Sequence, residues 1–207
     1  MIVGMNLSTI GTTAADPPAP RRSPRRDQIL AAAWDIAEES GLGAVTLHEV
    51  ARRVGIKQPS LYGHVGSKLD LYDAMFHQAY EQLFARIDAA EWTGTAREQV
   101  LGLSRIVVDF VVENPPRQQL LFQRTIPGFE PSPESYGLAR RLIDRSVALL
   151  SELGAGDPAQ VDVYTVLIAG IGSQQIANDP GGDRYTRHLE DLLDLFLDHC
   201  AVPKEAP

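Results

Sequence analysis

With 207 residues, 44% apolar composition and a formal net charge of -8, the chain can bury a substantial core. Its acidic balance excludes wholesale binding to polyanions, so any nucleic-acid contact has to come from a local patch. A single cysteine, Cys200, excludes an internal disulfide or a thiolate-only metal cage and fits a reducing compartment. The opening MIVGMNLSTIG lacks the basic start of a secretory signal, and no stretch reaches the roughly 18 consecutive apolar residues of a membrane span. A soluble cytoplasmic protein is expected.

Residues 1–22 carry Ser, Thr, Gly and the run Asp16-Pro17-Pro18-Ala19-Pro20 without hydrophobic periodicity, which predicts a flexible arm ending in Arg21 and Arg22. Ser23-Pro24 is a helix start, with Ser as N-cap and Pro at the first position. Ile29, Leu30, Ala33, Ile36 and Ala37 then recur at helical spacing until Ser40-Gly41, where glycine can take the left-handed stop. Thr46 and Glu49 form a Thr-x-x-Glu capping pattern for a helix over 46–54 that ends at Gly55. A short helix over 57–63 follows, limited by Gly63 and Gly66, and Ser67 caps a helix of about six turns reaching about residue 90. Further helices are predicted at 95–113, 116–123, 132–153, 157–178 and 183–199, separated by Pro- and Gly-rich breaks such as Asn114-Pro115-Pro116 and Asp179-Pro180-Gly181-Gly182.

The charges segregate. Between Glu49 and Asp70 there is no acidic residue, but there are Arg52, Arg53, Lys57, His64 and Lys68. This gap coincides with two short helices joined by a tight turn at Gly55, the arrangement of a helix-turn-helix, whose second helix enters the major groove N-terminus first. Lys57, Gln58, Pro59 and Ser60 then fall where base edges are read: lysine can donate to guanine, glutamine can pair with adenine, and serine bonds several partners. Tyr62, His64 and Lys68 are better placed for phosphates, and the capped helix starts at Thr46 and Ser67 offer anchors for them. On spacing alone, an ordinary solvated helical hairpin fits equally well.

The features Thr46, Val50-Ala51, Val54-Gly55-Ile56, Leu61-Tyr62, Ser67-Lys68 and Leu71, with the preceding segment Ile29 to Gly41 ending Glu38-Glu39-Ser40-Gly41, resemble the DNA-binding domain of the tetracycline-repressor (TetR) family of bacterial regulators. The resemblance covers about residues 24–80. It implies a homodimer whose three-helix heads bind a palindromic operator and whose variable C-terminal bodies bind a small molecule and dimerise. Carried over position by position, Thr46, Tyr62, His64 and Lys68 contact phosphates and Lys57 to Ser60 face bases. Three positions depart from the family pattern: a small residue is usual where Lys57 stands, an aromatic at His64 and Phe at Val65. A basic Lys57 alters the expected base contacts, and Val65 packs less than Phe would.

The expected fold is all-α. A three-helix helix-turn-helix domain over 23–83 is joined by a long helix to a ligand-binding and dimerisation domain over 84–200, with a flexible tail at 201–207. In the body, Phe110, Phe122, Phe129, Tyr136 and Tyr164 are candidates for an apolar effector pocket, with Gln174, Gln123 or Gln175 as its polar groups. For each, core packing or a surface position is the competing reading. Leu189, Leu192, Leu193, Phe196 and Leu197 form a stripe expected at a dimer interface, and residues 161–172 are apolar nearly all round.

His48, His64, His77, His188 and His199 are scattered without HExxH spacing, and no Gly-x-Ser-x-Gly elbow occurs. No catalytic residue, metal or cofactor is therefore assigned. The leading expectation is a repressor released from its operator by a small-molecule effector. The alternatives are a small-molecule-binding helical protein or enzyme with a degenerate head, and an architectural DNA-binding protein without a ligand.

Overall fold

A computed structural model describes residues 24–201. The expected arm over 1–22 and the cap Ser23 lie outside the described residues, as does the tail beyond Ala201. Among the described residues every regular element is helical. Helix α1 (Pro24–Ser40) ends where Gly41 takes φ 79°, a conformation only glycine adopts without strain. After a 3-10 turn at Leu42–Ala44 come α2 (Leu47–Val54) and the single turn α3 (Gln58–Leu61). Helix α3 is shorter than the expected 57–63, with Lys57 as its N-cap. Helix α4 (Lys68–Ala89) follows, capped by Ser67, whose Oγ accepts from the Asp70 amide at 3.1 Å.

Three body helices start with a polar cap followed directly by proline, a pairing that satisfies one exposed amide and removes another. They are α6 (Pro115–Phe122) after Asn114, α7 (Pro133–Glu152) after Ser132 and α8 (Pro158–Asn178) after Asp157. Helix α5 (Ala96–Val112) starts with a full capping box between Thr95 and Glu98. The expected box at α2 forms only in part. Thr46 Oγ1 accepts from the Glu49 amide at 3.2 Å, but the Glu49 carboxylate turns to Arg52.

The last helix, α9 (Leu189–Ala201), begins later than the expected residue 183. Side chains of the preceding helix end capture the amides that would start it. Asp179 Oδ2 accepts from the Arg184 amide at 2.9 Å, and Gln175 Oε1 accepts from the amides of Tyr185 and Thr186 at 2.9 and 3.3 Å. The intervening chain therefore forms a turn that closes with a 3-10 segment at Thr186–His188.

Helix α4 is the hub. It packs against α1 on one side and α5, α6 and α7 on the other, and Leu71, Met75, Ala79, Tyr80, Leu83 and Ile87 are fully buried along it. The division expected between residues 83 and 84 falls inside this helix, and the buried side chains on both sides form one continuous core. The Tyr72 hydroxyl donates to the Leu42 carbonyl at 2.6 Å, tying α4 to the turn after α1. Asp73 accepts from the amide and hydroxyl of Ser132 at 2.7 and 2.9 Å, tying it to the start of α7.

The stripe read as a dimer interface instead closes the chain's own core: Leu189, Leu193 and Phe196 are buried, and Leu192 and Leu197 half-buried. Helix α9 packs on α5 and α8, and Arg97 of α5 donates to both carboxylate oxygens of Asp194 at 2.6 Å. A strong apolar stripe marks the face that is buried without telling against what.

Replacing Tyr72 by Phe removes one of two donors to the Leu42 carbonyl, which keeps the Val45 amide at 3.1 Å. The expected cost is about 0.5–1.5 kcal/mol, read as a lower urea midpoint at unchanged slope; an unchanged midpoint would mean that this bond contributes nothing net.

Candidate nucleic-acid interface

Helix α2 ends in a left-handed Gly55, φ 73°, and the Ile56 amide returns to the Ala51 carbonyl at 3.0 Å. This closing pattern satisfies carbonyls that the helix end would leave open and turns the chain sharply into α3. Leu61 and Val65 are buried, which fixes one side of α3 against the head. Val65 is therefore fully used in packing despite its smaller size. The opposite side is presented outward: Lys57, Pro59 and Ser60 are exposed, Gln58 is half-buried, and Tyr62 is half exposed at 50%. His64 and Thr46 are also exposed.

Lys68 Nζ donates to the Gly43 carbonyl at 3.3 Å and lies 5.4 Å from the Tyr72 ring centroid. The ammonium is thus held at the edge of the head by a carbonyl 25 residues away in sequence and by a ring one turn along its own helix. No local pattern signals the first of these, because it depends on how the turn after α1 meets the start of α4.

The two arginines of α2 are used differently from the lysines. Arg52 is paired with Glu49 at 2.9 Å, and Arg53 reaches back to both oxygens of Glu39 on α1 at 2.8 and 2.6 Å. Hydrogen bonds from these guanidinium groups hold the Glu49 and Glu39 carboxyls below the usual carboxylate range. Exposed pairs of this kind add little stability, but Arg53 and Glu39 fix α2 against α1. The positive character of the outward face therefore rests on Lys57, Lys68 and, when protonated, His64.

The body candidates separate into different settings. Phe110 is buried, with the guanidinium groups of Arg86 and Arg117 at 5.0 and 4.3 Å from its ring centroid. Phe129 packs against Tyr72 and Phe76, Tyr136 is half-buried, and Gln174 is exposed and accepts from Asn178 at 2.9 Å. Gln175 holds the turn before α9, as described above, and Gln123 is the exposed end of α6.

Phe122 and Tyr164 do converge. They line a recess of about 30 Å³ with Val107, Leu142, Ser146 and Ile168, and no charged side chain faces it. At its edge Ser104 Oγ and Tyr164 OH share a hydrogen bond of 2.8 Å. Burial pushes the Tyr164 phenol above its ordinary range, so it stays a neutral hydroxyl. Ser104 and Ser146 were not among the expected pocket residues. Their signal in the sequence is a serine inside an apolar helical stripe, which is the same pattern as a serine satisfied by its own helix, and both also bond carbonyls four residues back.

Among the described residues no three His, Cys, Asp or Glu side chains gather as a metal site, and no helix is long and apolar enough to cross a membrane.

Residues 29–75 match the family model described as bacterial regulatory proteins, tetR family. The chain is 32% identical over 103 residues to the HTH-type transcriptional activator FasR of Mycolicibacterium smegmatis, a match covering 49% of this chain and 47% of FasR; it thus spans about half the length of that relative. It is 26% identical over 176 residues to the HTH-type transcriptional regulator Rv1816 of Mycobacterium tuberculosis, covering 79% of this chain and 75% of that protein. The solved structure of the fatty acid degradation regulator FadR from Bacillus halodurans superposes with a TM-score of 0.67 at 14% identity, covering 86% of this chain and 97% of that one, a likeness of fold alone. The helix-turn-helix formed by α2 and α3 lies inside the matched segment, so residues 29–75 carry a domain of the tetR family of bacterial regulatory proteins, and the described chain shares an all-helical architecture with the solved structure.

Proposed function

We propose that the chain is a dimeric, sequence-specific DNA-binding transcriptional regulator whose operator affinity is set by a small uncharged ligand. The observation that carries the DNA-binding part is the outward face of α3, free of acidic residues from 50 to 69 in a chain of net charge -8, flanked by the capped N-termini of α2 and α4. Helix N-termini attract phosphate, and phosphate contacts position a protein while base contacts specify its site. In this reading Thr46, Tyr62, His64 and Lys68 meet the backbone and Lys57, Gln58, Pro59 and Ser60 meet base edges.

The dimer part rests on three exposed apolar side chains on the two packed helices α8 and α9. Val163 and Val166 on α8 and Leu195 on α9 are 54%, 58% and 65% exposed in the single chain. Side chains so placed fit the centre of a two-fold interface in which α8 and α9 meet their copies. Two heads on such a dimer would address half-sites about 10 base pairs apart or a multiple of that.

The ligand part rests on the recess beside Tyr164. Its lining favours an apolar molecule with a single hydrogen-bonding group. A volume of about 30 Å³ is about that of one water, and ligand sites usually need some 300 Å³ or more. Binding therefore requires α6 or α7 to move outward, which is a means of regulation.

Tyr62→Ala and Lys68→Ala are expected to weaken binding to all duplexes and to lower the salt slope by about one each. Lys57→Ala and Gln58→Ala should instead relax preference at one or two base positions by about 1–3 kcal/mol. Titrations at two salt concentrations separate the two patterns, and unchanged affinity in all four variants would remove the assignment.

Val166→Glu or Leu195→Glu should give folded monomers in sedimentation with much weaker palindrome binding; a dimer that survives both changes contradicts the proposed face.

For the ligand, a thermal-shift screen of uncharged apolar compounds should find molecules that raise the melting temperature of the wild type by several degrees at about 100 times Kd. The same molecules should fail on Ser146→Phe, which fills the recess. Linkage further requires duplex DNA to change the affinity of each such ligand by the factor with which it changes duplex affinity. Equal ligand affinity with and without duplex would separate ligand binding from regulation.

A further inference from the structure

Two adjacent carboxylates at the end of α1 hold different parts of the molecule. Glu39 takes the bidentate contact from Arg53 of α2. Glu38 accepts a hydrogen bond from Nδ2 of Asn114, which is the N-cap of α6. Asn114 is buried, and its Oδ1 accepts from the Arg117 amide at 3.3 Å. One amide side chain therefore both starts α6 and holds the end of α1. One turn further along α6, Gln118 is 2% exposed. Its Nε2 donates to the Ala169 carbonyl at 3.1 Å and to Ser173 Oγ at 2.8 Å, both on α8.

Three separate polar contacts thus tie these helices together: Gln118 joins α6 to α8, the α6 cap Asn114 joins it to Glu38 on α1, and the neighbouring Glu39 joins α1 to Arg53 on α2. Helix α8 also carries Val163 and Val166. A donor and acceptor must meet within about 3 Å at a favourable angle, which fixes the relative position of two helices directionally as well as by shape.

We propose that the Glu38–Asn114 contact is a positioning contact that fixes where the head stands relative to the body, and so sets the half-site spacing that the dimer prefers. It rests on the dimeric DNA-binding reading above. One base pair added between half-sites shifts one of them by about 3.4 Å along the duplex and rotates it by about a tenth of a turn. A head held rigidly cannot follow both changes, and a loosened one can.

The test uses the full chain and duplexes that the wild type selects from a random pool, with derivatives in which one or two base pairs are added or removed at the centre. Asn114→Asp keeps a good N-cap but replaces the donor with a carboxylate facing Glu38. It is expected to lower the preference for the selected spacing over its one-base-pair derivatives by about tenfold, within the usual range of coupled neighbours. Glu38→Gln alone should stay within about threefold of wild type, because its amide oxygen still accepts from Asn114. The double variant Glu38→Gln with Asn114→Asp reverses donor and acceptor and should regain the wild-type preference to within about threefold. A purely structural loss at Asn114 would not be rescued from Glu38.

Melting temperatures accompany each variant. Should Asn114→Asp fail to fold, Glu38→Lys, at an exposed position and outside the cap, is expected to give the same loss of spacing preference. Retention of the preference in Asn114→Asp, absence of rescue in the double variant, or retention in Glu38→Lys each overturns the proposal. A wild type that selects no duplex overturns the DNA-binding reading itself, which keeps the two failures apart.

Discussion

Helix α4 has to pack along its whole length into one continuous core that joins head and body, and the architecture follows from that requirement. Its first turns bury Leu71, Tyr72 and Met75 against the head, and its later turns bury Tyr80, Leu83 and Ile87 against the body. A helix fully engaged along its length is a stiff element, because bending it would open packed contacts on one side. The hydroxyl of Tyr72 and the carboxylate of Asp73 add directional contacts to the turn after α1 and to the start of α7. Any rearrangement of the body that shifts α7 therefore bears on α4, and through it on α1 of the head.

Charge is distributed with the same division of labour. The chain is acidic overall, which discourages indiscriminate attachment to nucleic acid, and the carboxylates of Glu49 and Glu39 are held in pairs with Arg52 and Arg53. Those pairs neutralise two arginines that the sequence would count as part of a basic patch. What is left on the face is a small number of cations, of which Lys68 has a defined seat on the Gly43 carbonyl. The recess near Tyr164 shows a comparable economy: a hydrogen-bonded pair of hydroxyls beside an apolar lining, with little open space.

The helices, their caps and their order were legible in the sequence because each depends on neighbours within a few residues: Thr46 and Ser67 at helix starts, Gly41 and Gly55 at helix ends, proline after Asn114, Ser132 and Asp157. The acid-free run from 50 to 69 is a property of sequence alone, and it led to the face that the fold does present outward. Where the local pattern had two physical outcomes, the sequence reading went astray. The apolar stripe on α9 fits a core or an interface equally well, and the chain's own α5 and α8 take it. The start of that helix was misplaced because Asp179 and Gln175 compete for amides that a local reading assigns to the helix.

What the sequence by itself determined is the all-helical composition, the helix-turn-helix and the side chains on its outward face, since these follow from periodicity, caps and turns of short range. Only the tertiary structure decided which aromatics share a recess, that Lys68 sits on the Gly43 carbonyl, that Arg53 answers to Glu39, and that Asn114 joins α6 to Glu38 on α1. Each of these joins residues 14 or more positions apart in the chain. Their meeting depends on how helices pack, and packing is set by the summed shape of many buried side chains, a quantity that no local pattern carries.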